Sequence, residues 1–421
     1  MTQDIVDNVF VGSGAPTDPG NTVVSASLLF DPGQFDFRLK QPVKGSHRWA
    51  AYEYVHPLSV KPRKDDFRGA FPPDAQKPAV VAAAPERKKV VVEKPAKGQE
   101  AKWWAALPAD TWVEVNNTRL DAVQPNPVPP GSIGTEGVVS GWSGAAYDEE
   151  HNRLLLFGGG LSNSADNSVY QLTVDGLIWS RLSDPSPRDT LPPGNLYNYS
   201  AWDENKDGKP AARPTYWGLL YREDKLIVLP GRHSWLFDTS TRQWAKMAPR
   251  ADKIEPVPCA FDSATKRIYA GAGDWDIEEL DADSLKGIAR HSIKSAGHNG
   301  HGLQACQVER ELWVLRQTFE GYAFNFDTKQ VRALHIDAEP GNFHWAGCQY
   351  VKKLGVVRWE NGHRLCVIDR QSLQQREYPL AGVPAYEPQN GMLGRMRYLP
   401  KYHALIFVTH ASKNVHLVRL A

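Results

Sequence analysis

The sequence has almost no net charge, no long hydrophobic run and few sulfur-containing residues. Its 49 Lys and Arg residues against 48 Asp and Glu residues leave a formal charge of +1, which gives no sign of a nucleic-acid or anionic-membrane partner. No segment approaches the roughly 18 apolar residues that a membrane helix needs. The N-terminal segment MTQDIVDNVFVGSG has no basic region followed by an apolar one, so no secretory signal is expected. We therefore expect neither nucleic-acid binding nor membrane insertion.

Only four cysteines are present, and their spacing argues against a metal site or a disulfide framework. Cys259, Cys306, Cys348 and Cys366 form no Cys-x-x-Cys motif and no Cys/His ligand pattern. Each lies in an apolar, strand-like run, where a free thiol behaves as a small hydrophobic residue. We predict free, buried thiols and no cofactor.

Aromatic and turn-forming residues, by contrast, are abundant. The chain contains 14 Trp, 15 Tyr, 34 Gly and 31 Pro, which together favour many short strands joined by tight turns. From Trp142 onward a unit of short strands recurs six times. The copies cover residues 142–182, 215–247, 258–293, 303–336, 346–380 and 393–421. After a longer first interval, the centres of their second strands lie 41 to 50 residues apart. This spacing matches the period of propeller blades, about 40–50 residues.

The sixth copy lacks a fourth strand, and a candidate for that strand precedes the first copy. Residues 111–115, TWVEV, look like the Trp-bearing closing strands of the first two copies. A ring of blades is sealed when one blade combines strands from distant parts of the chain, because no edge is then left exposed. The sequence therefore predicts an all-β, six-bladed β-propeller over residues 108–421. Its blades would be four-stranded and antiparallel, with residues 111–115 closing the last one.

The first copy also carries a motif. Gly158 and Gly159, followed by Tyr170 and Trp179, resemble the kelch motif of galactose-oxidase-like propellers. The wider pattern resembles propeller proteins met in bacteriophage and bacterial genomes, and this resemblance implies a virion protein present in several copies per particle. The copper chemistry of the galactose oxidase group needs a Tyr crosslinked to a Cys. All four cysteines lie on predicted strands rather than on long loops, which argues against that chemistry.

The sequence before the predicted propeller divides into two parts. Residues 1–75 are an irregular extension punctuated by Gly and Pro, with a candidate hairpin (Val23 to Phe30, Phe35 to Leu39), and we expect them to anchor the protein. Residues 76–107 are rich in Pro, Ala and Lys, a composition typical of a semi-extended linker. We expect residues 1–107 to contact other virion proteins.

Loop lengths distinguish the two faces of the predicted ring. Nearly all the long segments fall in second-to-third-strand loops and in blade-to-blade connections, which share one face, called here the long-loop face. Binding groups concentrate on loops carried by a rigid scaffold, and aromatic rings with polar neighbours suit sugars. The candidate ligand-binding residues are Trp142, Arg213, Asp274, Trp275, His298, His301, His344 and Trp345. The alternative is that these aromatic residues plug the axis or join neighbouring blades.

One segment of this face resembles part of a calcium loop. Asp203, Asn205 and Asp207 fit the pattern D-x-N-x-D-G, but the twelfth position is a proline instead of a bidentate acid. A polar turn explains the segment equally well. The three histidines named above would form a second metal site only if adjacent blades brought them together.

Two functions remain open from the sequence. The first is a non-enzymatic bacteriophage virion structural protein of the tail, neck or head, which displays its propeller for host-surface glycan binding. The second is a carbohydrate-active enzyme (a lyase, mutarotase or hydrolase), since kelch-like propellers include such enzymes. No Ser/His/Asp constellation, phosphate loop or paired-carboxylate signature stands out, so the sequence favours the first. A cytosolic interaction module of the eukaryotic kelch type is disfavoured because no adaptor domain precedes the propeller.

Overall fold

The computed structural model forms two compact units, Met1–Glu86 and Arg87–Ala421. It describes residues 88–160, 163–191, 203–254, 258–272, 276–296, 304–315, 320–337, 346–360 and 364–421, together with short strands in the first unit. Those strands form three pairs: β1 (Val9–Val11) with β2 (Thr22–Val24) in parallel, and β3 (Leu29–Asp31) with β4 (Asp36–Leu39) and β5 (Tyr52–Val55) with β6 (Ser59–Pro62) in antiparallel orientation. The pair β3–β4 joins the end of the first predicted hairpin strand to the second, whereas Val23 lies in β2, which pairs with β1.

The second unit is a ring of six sheets of antiparallel blades. In the chain, β7 (Val90–Glu93), α1 (Glu100–Ala106) and β8 (Val113–Asn116) come before the first blade. Blade 1 consists of β9 (Gly144–Asp148), β10 (Arg153–Phe157), β11 (Tyr170–Thr173) and β12 (Ile178–Arg181). Blade 2 consists of β13 (Leu219–Arg222), β14 (Lys225–Val228), β15 (Gly231–Asp238) and β16 (Gln243–Ile254). Blade 3 consists of β17 (Cys259–Asp262), β18 (Arg267–Ala272), β19 (Asp276–Asp281) and β20 (Gly287–Ser292).

The other three blades repeat the same meander. Blade 4 consists of β21 (Gln304–Val308), β22 (Glu311–Leu315), β23 (Glu320–Asn325) and β24 (Val331–His335). Blade 5 consists of β25 (Gly347–Val351), β26 (Gly355–Glu360), β27 (Arg364–Ile368) and β28 (Gln375–Tyr378). Blade 6 begins with β29 (Met396–Leu399), β30 (Ala404–Phe407) and β31 (His416–Arg419). Short helices connect some of the strands: α2 (Gly137–Ser140) and the 3-10 turns Leu120–Val123, Gly134–Glu136, Arg188–Thr190, Lys294–Ala296, Leu393–Arg395 and Pro400–Tyr402.

The predicted six-bladed ring and its closure are confirmed. Strand β8 pairs with β31 in antiparallel register, so residues far apart in the chain complete the sixth blade. Within the predicted segment and directly before β8, Trp112 is buried, with its ring 4.7 Å from that of Phe407. The closing blade therefore combines hydrogen bonding with aromatic packing between the two parts of the chain.

A fifth strand extends the closing blade beyond the prediction. Strand β7, inside the segment predicted as a linker, pairs in parallel with β8. After it, α1 buries Trp104 against Tyr402 with the two rings stacked 4.1 Å apart. Three consecutive valines favour an extended strand, and the buried tryptophan fixes the helix, so residues 88–107 belong to the ring unit.

Aspartate and asparagine side chains close the turns between third and fourth strands. Asp238 Oδ1 accepts hydrogen bonds from the backbone N–H groups of Ser240 and Thr241, at 2.9 and 2.8 Å. Asp281, Asn325 and Asp369 make equivalent bonds in blades 3, 4 and 5. Such side-chain-to-backbone bonds replace a helix or ladder bond within a tight turn, which explains why these turns stay short.

The first strands of successive blades contact one another around the axis. Gly144 in β9 approaches blade 2 so closely that a Cβ atom there would lie 2.1 Å from the carbonyl oxygen of Tyr216. The Thr215 hydroxyl joins the same two blades, since it donates to the Phe157 carbonyl and accepts from the Gly144 N–H. Backbone contact thus sets the spacing of these two blades at the axis.

Candidate functional site

A cavity of about 180 Å³ lies on the axis of the ring. Residues from the first strands of blades 2 to 6 line it, and Trp217, just before β13, completes the lining. In blades 2, 3, 4 and 6 the lining includes residues from the first half of the strand. First strands begin at the face that carries the blade-to-blade connections. The cavity therefore lies in the half of the channel nearer the long-loop face.

Arg397 supplies the cavity's positive charge. Its Nη2 donates a hydrogen bond to the carbonyl oxygen of Ala145, which joins blade 6 to blade 1. Its Nε is buried and has no hydrogen-bond partner in the described part of the chain. Burial, which disfavours the charged form, lowers the pKa of Arg397 to about 10. The guanidinium is still protonated at neutral pH, in a poorly solvated position.

Three buried cysteines lie on the first strands around the axis. The Cys259 thiol donates to the carbonyl oxygen of Trp217 at 3.0 Å, and burial raises its pKa to about 12. Cys306 and Cys348 bring their sulfur atoms within 3.3 Å across blades 4 and 5. The hydrogen bond with Cys348 and burial both raise the pKa of Cys306. The prediction of free, buried cysteines is confirmed. The raised pKa values of Cys259 and Cys306 leave these two thiols without the thiolate character of a nucleophile.

The remaining polar groups of the lining already have partners, with one exception. Gln307 donates to the carbonyl oxygen of Glu309, Gln349 donates to that of Cys348, and the Tyr350 hydroxyl donates to the Glu309 carboxylate. The exception is Trp217, whose side chain is buried and whose Nε1–H has no hydrogen-bond partner in the described ranges. Two donors, the Arg397 guanidinium and the Trp217 indole, are therefore left to interact with anything that enters.

The binding residues predicted from the sequence differ in where they lie relative to the cavity. Trp142 precedes β9 at the long-loop end and packs, partly buried, against the hydrophobic cluster that contains Trp217. Arg213 is fully buried, and its guanidinium bonds to the Asp203 carboxylate at 2.7 Å and to the carbonyl oxygen of Pro230. It holds the long connection after blade 1 against blade 2 and presents no free surface. The other candidates, Asp274, Trp275, His298, His301, His344 and Trp345, lie outside the described residues.

The calcium-like segment makes separate contacts in the fold. Asp203 accepts from Arg213 and lies 2.9 Å from His233 Nδ1, whereas Asn205 donates to the Ser186 hydroxyl and Asp207 accepts from it. Within the described ranges, no three His, Cys, Asp or Glu side chains form a group that could hold a metal ion. These contacts are those of a hydrogen-bonded polar turn.

The sequence analysis missed the residues that line the cavity. Arg397 stands in an otherwise apolar and aromatic strand segment, MRYL, and Trp217 stands directly before LLYR. No local signal distinguishes Arg397, because the first strands β9, β13 and β17 also contain a charged residue. In a four-stranded blade, only the first strand borders the axis on its open edge.

No protein-family model and no curated protein sequence matches this chain. None of the helices within the described ranges is long and apolar enough to cross a membrane. The fold itself defines the class: an all-β, six-bladed propeller with four-stranded antiparallel blades. Its distinctive features are a fifth strand on the closing blade and an axial cavity with one arginine.

Proposed function

We propose that this protein is a non-enzymatic structural component of a bacteriophage virion, located on the tail, neck or head. Residues 1–86 would anchor it to other virion proteins, and the kelch-like propeller would be displayed for host-surface glycan binding. The single observation that carries the proposal is the fifth strand of the closing blade. It fixes the segment that follows the N-terminal unit directly to the strand that seals the ring.

Side-chain contacts reinforce the pairing of strand β7 with the closing blade. Lys89 forms an ion pair with Glu114 at 2.6 Å, and Glu93 accepts hydrogen bonds from the side chains of Asn116 and Asn117. The Trp103 indole donates to the Glu93 carbonyl at 2.7 Å. Strand β7 also pairs with β8 over four residues, from Val90 opposite Val113 to Glu93 opposite Asn116. An attachment of this kind suits an anchored, displayed domain better than a free linker does.

The electrostatics of the described residues favour a scaffold over a glycosidase. A general acid in glycoside hydrolysis needs a carboxyl group whose pKa is raised. Across the described residues, every Asp or Glu with a shifted pKa has it lowered. The affected residues are Glu114, Asp148, Asp175, Asp203, Asp238, Asp262, Glu279, Asp281, Glu311, Asp327 and Asp369. The groups that lower these pKa values include arginine, lysine, histidine and tyrosine side chains and the N–H groups of turns, which are contacts within the fold.

The test is proteomic analysis of purified particles of a phage that encodes the chain. Peptides from both residues 1–86 and the propeller should remain with the particles through density-gradient purification and a high-salt wash. Their absence from the particles would contradict the proposal.

Glycan binding is tested separately on a panel of oligosaccharides. Trp142→Ala should weaken binding at the long-loop face, and Trp103→Ala, on the helix of the closing blade, serves as the matched control. Equal binding by both variants and the wild type would contradict the role of Trp142. Turnover of any oligosaccharide would favour the carbohydrate-active enzyme instead.

A further inference from the structure

Among the described residues, the positive charge in the axial cavity has no acidic partner. The desolvated guanidinium of Arg397 interacts electrostatically with Cys259, which is a protonated thiol. The hydrogen bond that it makes within the described ranges goes to a backbone carbonyl. A buried charge is costly unless an opposite charge or several hydrogen bonds compensate it. An anion in the cavity would supply that compensation.

A second group in the lining also requires an acceptor. The Trp217 side chain is 6% exposed, and its indole N–H has no hydrogen-bond partner in the described part of the chain. Buried donors in native proteins are normally paired with protein or with a bound molecule. Arg397 and Trp217 are donors only, so both would be satisfied by the same acceptor-rich ligand.

The rest of the lining limits the size and charge of the ligand. Leu219, Ala260 and Ala305 contribute apolar surface, and the volume of about 180 Å³ corresponds to a few atoms beyond a carboxylate. A single guanidinium balances one negative charge. A dianion such as sulfate would leave a surplus negative charge in a poorly solvated site.

We propose that the axial cavity is a binding site for a small monocarboxylate with a short apolar chain. Its oxygens accept hydrogen bonds from the Arg397 guanidinium and the Trp217 indole, and its chain packs against Leu219, Ala260 and Ala305. Guanidinium groups suit this role because their planar donor fork matches a carboxylate. The site binds without chemistry, since the nearby thiol of Cys259 stays protonated. This inference is independent of the proposed virion role.

The test is calorimetric titration of the full-length protein with propionate and butyrate. Propionamide, a neutral molecule of similar shape, and sulfate serve as comparison ligands. We expect saturable binding of the two carboxylates and none of propionamide. Arg397→Met should abolish detectable binding. Trp217→Phe, which removes only the N–H group and part of the ring, should weaken it about tenfold or more.

The exposed Arg376 on β28 provides the matched control, and Arg376→Met should leave binding unchanged. Near-ultraviolet circular dichroism establishes that each variant is folded; if Arg397→Met fails to fold, Trp217→Phe carries the test. The proposal is overturned if neither carboxylate binds, if folded Trp217→Phe binds as tightly as wild type, or if sulfate or propionamide binds as well as propionate.

Discussion

Leu417 and Val113 lie directly opposite each other on antiparallel strands, although about three hundred residues separate them in the chain. Both side chains are buried in the hydrophobic cluster between blades 6 and 1. Their contact is the point at which the ring is sealed. The stability of all six blades therefore depends on it, because an open ring exposes two blade faces to water.

Shortening Leu417 tests this seal. Leu417→Ala should lower the free energy of unfolding by about 2–5 kcal/mol, the usual cost of a cavity in a packed core. The control is Ile178→Ala at an exposed strand position, which should cost far less. Denaturant titration measures both.

Removing residues 410–421, which include β31, should abolish the cooperative unfolding transition. Thermal unfolding of the truncated protein checks this, and cooperative melting at the wild-type temperature would contradict the sealed-ring account.

Protonation of His416 should weaken the same seal at acidic pH. Burial lowers the pKa of His416 to about 4 from a usual value near 6.5. Glu114 faces the imidazole at 3.8 Å, the Tyr386 ring lies against it, and the positive charge of Lys89 is also near. The unfolded chain binds this proton more readily than the folded protein. Stability is therefore complete above about pH 6.5 and falls as the pH drops towards 4.

The effect of this one group amounts to at most about 3 kcal/mol. His416→Gln should flatten the decline of stability between pH 6.5 and 4, whereas His335→Gln, at an exposed position on β24, should not. Glu114 adds a separate decline at lower pH. Burial opposes its ionisation, but hydrogen bonds from Lys89 and Asn414 hold its pKa below the usual range. Identical pH profiles for His416→Gln and wild type would rule out the histidine effect.

Two Asp–Arg pairs of similar length should differ in their contribution to the free energy of unfolding, because one is buried and the other is exposed. Asp203 contacts the fully buried Arg213 at 2.7 Å, whereas Asp184, 79% exposed, contacts Arg181 at 2.8 Å. Asp203→Asn leaves a buried guanidinium without its counter-charge and should cost about 3–5 kcal/mol. Asp184→Asn should cost less than about 1 kcal/mol. Chemical denaturation of the two variants checks this, and equal costs would mean that Arg213 finds another partner.

Gly144 should tolerate no side chain. An alanine Cβ would lie 2.1 Å from the Tyr216 carbonyl oxygen, so Gly144→Ala must force blades 1 and 2 apart and should lower the melting temperature by several degrees. The matched substitution Gly176→Ala meets only the flexible side chain of Ile178, at 3.2 Å. Thermal unfolding followed by circular dichroism compares them. A wild-type melting temperature for Gly144→Ala would show that the two blades are not in rigid contact.

The repeat predicted the blades because each second strand is a short aliphatic run between turn residues. The predicted centres of the second strands in copies 1, 2 and 4 are Leu155, Ile227 and Trp313, and they fall inside β10, β14 and β22. Closure was predictable as well, since a ring needs a strand from outside the six copies. The end of the second copy was less accurate: the sequence placed it at residue 247, whereas β16 continues to Ile254.

The site was harder to predict, for physical reasons. Arg213 lies in a polar segment that reads as an exposed loop, yet its guanidinium is buried. Because Gly231 has no side chain, it leaves the space that this guanidinium fills. Strand β7 was hidden by flanking Pro and Lys residues, and its pairing depends on a strand that lies some twenty residues later. Which side chains border the axis depends on how blades are tilted around it. That property belongs to the whole ring and leaves no local pattern around Arg397.

The backbone contact at Gly144 separates the architecture of the channel from its chemistry. Because main-chain atoms meet there, the width of the pore beside blades 1 and 2 does not depend on which side chains project into it. Exchanging Ala260, Ala305 or Arg397 would then alter which molecules are accepted while the ring keeps its diameter. Substitution of lining residues alone would therefore change the ligand of such a propeller without changing the diameter of its ring.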